Sequence, residues 1–275
     1  LGVRPTAMAP LFPDRYIRPE TLQRAPSYLT VLSEARRAVA VIVSLLVAVA
    51  VLLGWRLFGS GAAVLGGVLL TADPYVIGMT RLLHVDALLA PLMLVSVLAA
   101  LTYWTVSPRL PYLVLSAAAG ALALLTKAPA AVLPLFAALL GLWTTSTLWK
   151  SGEPPGKAIK RGMVPVVVWG VVAGALYLLL FPAMWVDPLV RAQQLIAFVR
   201  EVGLQPHNGN FFLGQPVLDD PGPLYYFIAV PLRMSPLVAL GLATLVLPAG
   251  PKERRRAIHG ALVFAVLFTV VMTLG

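Results

Sequence analysis

The stretch TADPYVIGMTRLLHVDALLAPLMLVSVLAALTYW, residues 71–104, decides the fold of this chain. Arg81, His84 and Asp86 fall within it just before an uncharged apolar run, 87–104. A helix needs about 20 residues to cross a bilayer core, so the run reads as a membrane span with three ionisable side chains at its mouth. A charge in that position is costly unless it is paired or wet, which makes each of the three a functional candidate. The plainer reading is a solvated turn before a helix whose N-terminal dipole favours Asp86. This stretch alone leaves both readings open.

Outward from it, the whole chain has the same character. Of its 275 residues, 59% are hydrophobic and 12% charged, against about 25% charged in soluble domains. With several long apolar runs, the chain is a polytopic membrane protein of all-α class. The formal net charge is +10, but basic residues in such a chain report topology first. No basic stretch is interleaved with aromatics, so nucleic acid is not an expected partner. The absence of cysteine excludes disulfides, thiolate metal sites and cysteine nucleophiles. Leu1 is not a methionine and no signal peptide precedes it, so an internal fragment of a longer protein is expected.

About eight spans are expected. Residues 1–37 read as the end of a polar loop with one short helix from Leu29. Six spans follow within 38–181: 38–54, a short Gly-rich 61–72, then 87–104, 112–126, 129–147 and 163–181. Gly66 and Gly67 permit close helix approach. A long loop with interfacial helices occupies 182–234, and two further spans occupy 235–275, the last truncated. Arg233 argues against one straight helix over 223–249, so 224–232 reads as interfacial and 236–248 as the crossing. All of it forms one transmembrane domain, 1–275.

The short basic segments KSGEPPGKAIKR (150–161) and PKERRR (251–256) mark the cytoplasmic side. The chain must leave and return between them, so 182–222 is outside. Counting backwards puts Lys127 and 73–86 outside as well, and Arg109 and Arg56 inside. Three polar features therefore meet on one outer face, which favours the functional reading of Arg81, His84 and Asp86. The six arginines of the outer segment 1–37 run against this count.

Lys127, in LLTKAPAAVLPL, reads alone as a snorkelling anchor. Beside Arg81, His84 and Asp86 it suits an anionic phosphate, with arginine as a planar fork and lysine as a point charge. Asp86 can orient a cation or a hydroxyl, or accept a proton. Tyr225 and Tyr226, in PGPLYYF, read either as an interfacial aromatic belt or as the wall of a lipid-linked sugar site, with His207 upstream in the same loop. Asp219-Asp220 fits a turn before Pro221-Gly222 better than a metal pair. There is no Gly-rich phosphate loop, HExxH or Ser elbow, and no metal site or cofactor is expected.

In this order and spacing these segments resemble the polyprenyl-phosphate-sugar glycosyltransferases of the GT-C class, which include the protein O-mannosyltransferases and lipid A aminoarabinose transferases. WRLFGSGAAVLGGVLLTADPYVIGMTRLLHVDALL resembles the family's second to fourth spans. LALLTKAPAAVLPL resembles its LTKGP motif, with Ala128 where glycine is usual. NFFLGQ…PGPLYYF…LRMSP resembles its outer-loop ending. The resemblance implies a GT-C-like fold and transfer of a sugar, hexosyl or pentosyl, from a polyprenyl-phosphate donor to an acceptor hydroxyl on the outer face, with inversion at the sugar carbon. The donor is a substrate, and the acceptor is a protein, lipid or glycan.

By the same resemblance, Asp86 matches the family's second outer acid and Lys127 the lysine near the donor phosphate. Arg81 matches the basic residue before that acid, and Tyr225 and Tyr226 match the donor-lining aromatics. The family's base lies in the first outer loop. Asp14, Glu20 and Glu34 do not sit in its acidic motif, so the base is expected upstream of Leu1, and the piece alone is expected to be inactive. The implied location is a plasma membrane, multi-pass, of a prokaryotic type. The alternative is a transporter or flippase for a lipid-linked or anionic solute. That reading asks for ionisable residues near the midplane and for repeats, and the span interiors here carry almost no charge.

Overall fold

The computed structural model describes residues 28–81, 83–204, 210–217, 222, 224–234, 236–243 and 250–274. His207, Asp14, Glu20, Asp219, Asp220 and the end of the expected 236–248 crossing lie outside them. The element order is α1 (Tyr28–Phe58), α2 (Ser60–Ala72), α3 (Pro74–Arg81), α4 (Asp86–Leu101), α5 (Leu110–Thr126), α6 (Val132–Lys150) and α7 (Pro155–Leu180). Then come α8 (Pro188–Leu204), β1 (Asn210–Phe212), β2 (Gln215–Val217), α9 (Tyr225–Arg233), α10 (Pro236–Ala243) and α11 (Lys252–Leu274). A π turn, Thr102–Val106, prolongs α4, and a 3-10 turn, Ala128–Ala131, opens α6.

The chain is a helical polytopic membrane protein. Among the described residues five helices are long and apolar enough to cross a bilayer: Thr30–Phe58, Asp86–Val106, Ala128–Lys150, Pro155–Leu180 and Lys252–Thr273. Leu110–Thr126 and Ser60–Ala72 are shorter and apolar. At 1.5 Å per residue α5 reaches about 26 Å and α2 about 20 Å, so α5 meets the lower limit for a span and α2 falls short of it. The long loop holds the 17-residue α8 and an antiparallel hairpin in which Asn210 pairs with Val217. Leu213 and Gly214, both at positive φ, turn that hairpin.

Helix α1 begins ten residues before the run expected at 38–54. No proline or glycine interrupts residues 28–53, and Glu34 pairs with Arg37 at 2.7 Å one turn on, so the polar stretch extends the helix instead of ending as a loop. Gly59, at φ 89°, reverses the chain into α2. A Cβ on Gly67 would lie 2.6 Å from Val51, so glycine is what lets α2 lie back along α1.

Helix α4 is the centre of the bundle. Of its most apolar window 61% is buried, against 11% for α7 and α11. Val97, Ala100 and Leu101 pack there with Leu113, Ala117 and Ala121 of α5 and Leu133, Phe136 and Leu140 of α6. Helices α7 and α11 instead turn broad apolar faces outward. Val167, Val171 and Leu179 of α7 are exposed on one helical stripe, which in a membrane is a lipid-facing surface.

Polar and small residues knit the apolar interior. Ser96 Oγ donates to the Ser116 carbonyl and Ser116 Oγ to the Ser96 carbonyl, both at 2.8 Å, and Trp169 Nε1 donates to Ser116 Oγ at 2.9 Å. These bonds tie α4, α5 and α7 in the buried interior. At the α6–α7 crossing, a Cβ on Gly162 would sit 2.5 Å from the Gly141 carbonyl oxygen. Only glycine permits that backbone approach.

Candidate functional site at the mouth of the central helix

Asp86 is the first residue of α4, where the helix dipole favours its carboxylate. Lys127 follows the last residue of α5, in extended backbone. Helices α4 and α5 form a hairpin, which returns Lys127 to the end where Asp86 stands. Lys127 Nζ lies 2.9 Å from Asp86 Oδ1 and 3.3 Å from Oδ2. Both side chains keep access to solvent, 43% for Lys127 and 26% for Asp86. An ammonium has three donors, so with the carboxylate in place Lys127 retains capacity for a further anionic oxygen.

His84 completes the cluster. Its Nδ1 lies 3.1 Å from Asp86 Oδ2 and 3.3 Å from the Asp86 backbone nitrogen. A single ring nitrogen serves one of these at a time: unprotonated it accepts the amide N–H, protonated it donates to the carboxylate. The turn that brings the ring back runs through Leu83 at φ 55°. A branched residue in the left-handed region is costly and persists only where its surroundings hold it, as at functional turns.

Arg81 lies at the same end but joins differently. It closes α3, its side chain is exposed, and it forms no ion pair with Asp86. Its backbone carbonyl accepts a hydrogen bond from Arg36 Nε at 2.8 Å. Arg36 is a participant that sequence reasoning missed. It stood there only as one of six arginines weighing against the topology, and nothing local in α1 marks it as a neighbour 45 residues away.

Tyr225 and Tyr226 open α9 and meet edge to face, with ring centroids 5.2 Å apart. Phe212 of the hairpin packs against Tyr225 with ring centroids 5.3 Å apart and planes tilted by 58°, so the aromatic segment is braced by its own loop. No hydrogen bond, ion pair or ring contact joins either tyrosine to Asp86 or Lys127 among the described residues. The structure thus unites His84, Asp86 and Lys127, ties the backbone of Arg81 to Arg36 instead, and holds the tyrosines as a separate aromatic group.

The opposite end of the bundle has its own anchors. Arg56 Nε donates to Tyr112 Oη at 3.1 Å, and Arg254 lies against Gly59. Arg36 and the 81–86 segment sit at one end of α1 and Arg56 at the other, in line with the alternation of spans. Among the described residues no three His, Asp or Glu side chains gather as a metal-ligand set.

Chemically, the mouth of α4 offers a carboxylate, an ammonium held by it, and an imidazole coupled to it, at the end of the helical bundle. That set recognises an anionic oxygen beside a hydroxyl. A family model described as dolichyl-phosphate-mannose-protein mannosyltransferase matches residues 30–185, more than half of the chain and all of this site except the tyrosines. No curated protein and no solved structure matches the chain.

Proposed function

The chain belongs to the dolichyl-phosphate-mannose-protein mannosyltransferase family, a membrane glycosyltransferase of GT-C type, and from that premise we propose a specific reaction. The protein takes a sugar from a polyprenyl-phosphate donor on the outer face of the membrane and passes it to an acceptor hydroxyl. The acceptor oxygen bonds to the anomeric carbon as the bond to the phosphate oxygen breaks, and the lipid phosphate leaves with the negative charge. The hydroxyl proton goes to a general base outside the described residues.

In this reading Lys127, with Arg81 and His84 nearby, receives the donor phosphate. Asp86 is the second acid: it fixes Lys127 in place instead of taking the acceptor proton. Tyr225 and Tyr226, with His207, line the path of the donor. Stabilisation of the leaving phosphate is assigned to these side chains, with no metal required. The observation that carries the reading is the Lys127–Asp86 pair, which joins residues 41 apart at the end of the most buried helix.

The test is transfer of a labelled sugar from polyprenyl phosphate in proteoliposomes, with chelator present. Product without a nucleotide sugar is expected. Movement of a solute across the liposome with no glycosidic product would replace the enzyme by a transporter. The face is tested separately. The chain has no cysteine, so Val186→Cys should label from outside and Ser151→Cys should not. The reverse pattern rejects the outer placement.

A further inference from the structure

At the end of the bundle away from Asp86, a cavity of about 290 Å³ opens between the π turn after α4, the end of α6, the start of α7 and the start of α11. Its lining includes Trp104, Trp143, Thr147, Leu148, Arg161 and Arg256. We propose that this cavity binds the headgroup of an anionic phospholipid.

Three observations carry this. Arg256 is exposed and forms no ion pair among the described residues, so its guanidinium is free for an anion. Arg161 is held by Glu153 Oε1 at 2.5 Å, which leaves the remaining donors of its planar fork for a phosphate. The cavity lies beside a π turn, Thr102–Val106, where Ser107 N bonds back to the Thr102 carbonyl at 2.9 Å. Such distortions widen a helix locally and recur at functional sites.

The lipid source follows from position. The cavity sits where membrane helices end, at the level of two tryptophans, flanked by the basic segments 150–161 and 251–256. Tryptophan marks the membrane interface, and basic pockets between spans on the cytoplasmic side suit anionic lipid headgroups. The inference uses the inside placement of those basic segments and is independent of glycosyl transfer.

The experiment measures lipid retained by the purified protein after exchange with phosphatidylglycerol or phosphatidylcholine. Wild type should retain phosphatidylglycerol preferentially. Arg256→Gln should weaken it about fivefold, the effect of one basic residue near an anionic surface. Glu153→Gln should strengthen it, because it removes the carboxylate that competes for Arg161. Arg255→Gln, an exposed neighbour outside the lining, should change nothing. Equal retention of the two lipids overturns the proposal. So does an Arg255→Gln loss equal to that of Arg256→Gln, a loss in Glu153→Gln, or displacement by inorganic phosphate alone. Should Arg256→Gln not fold, the gain in Glu153→Gln decides.

Discussion

Each end of this bundle carries an acid–base pair, and the two pairs differ in what they join. Lys127 and Asp86 are 41 residues apart, on the ends of two buried helices. Arg161 and Glu153 are eight residues apart and close one short loop. The first pair needs the whole α4–α5 hairpin to form and holds an imidazole besides. The second needs little more than the turn before α7. Ion pairs of one general kind therefore carry different information: the first depends on distant elements being packed together, whereas the second depends only on its own loop.

The largest expected effect tests that difference directly. Asp86→Asn keeps shape and removes the charge that orients Lys127; Lys127→Ala removes the ammonium. Loss of electrostatic stabilisation at a developing charge is worth about 3–4 kcal/mol in the transition state, or roughly a hundredfold or more in rate. Both variants should insert and fold yet lose most sugar transfer, while Arg161→Gln should leave transfer within about twofold. If Asp86→Asn and Lys127→Ala turn over at the wild-type rate, the Asp86–Lys127 pair is as structural as the Glu153–Arg161 pair.

The next effect separates site from scaffold. Gly162→Ala forces a Cβ against the Gly141 carbonyl and should destabilise by about 1–3 kcal/mol. Gly170→Ala, with open space around it, should be close to neutral. Thermal unfolding in detergent compares the two. Equal stability would mean that α6 and α7 do not cross this closely.

A smaller loss, about 1 kcal/mol, is expected for Ser116→Ala, which leaves the Trp169 N–H without its acceptor. Its stability should fall with transfer per folded molecule unchanged, the opposite of the Asp86→Asn pattern. The smallest effect belongs to Glu153→Gln. Solvent screening of its partner, 62% exposed, holds the stability change to about 0.5 kcal/mol or less. A loss above 2 kcal/mol there would make the Glu153–Arg161 pair structurally decisive.

Much of this was legible in the residues. The run after Asp86 fixes a span by length and apolarity alone, and the stop at Lys127 fixes the end of the helix that returns. Two helix ends on one side of a hairpin are close by geometry, so Asp86 and Lys127 could be paired before their distance was known. Other features were not legible. The two tyrosines share a loop with His207, but the sequence does not say that Phe212 packs against Tyr225. Arg36 looked like a misplaced charge until its bond to the Arg81 carbonyl placed it at the same end.

The sequence by itself determined membrane class, the order of most helices, the family resemblance and the end of the bundle where the charges gather. These rest on hydropathy and local spacing, which are properties of neighbouring residues. Tertiary structure alone decided that α4 is central, that Ser96, Ser116 and Trp169 form one hydrogen-bonded joint, and that the π turn opens a cavity lined by Arg161 and Arg256. Those features depend on which helix faces meet. In lipid, where the five long apolar helices among the described residues are stable on their own, that choice is made by close packing of small residues and a few interhelical hydrogen bonds between positions far apart in the chain.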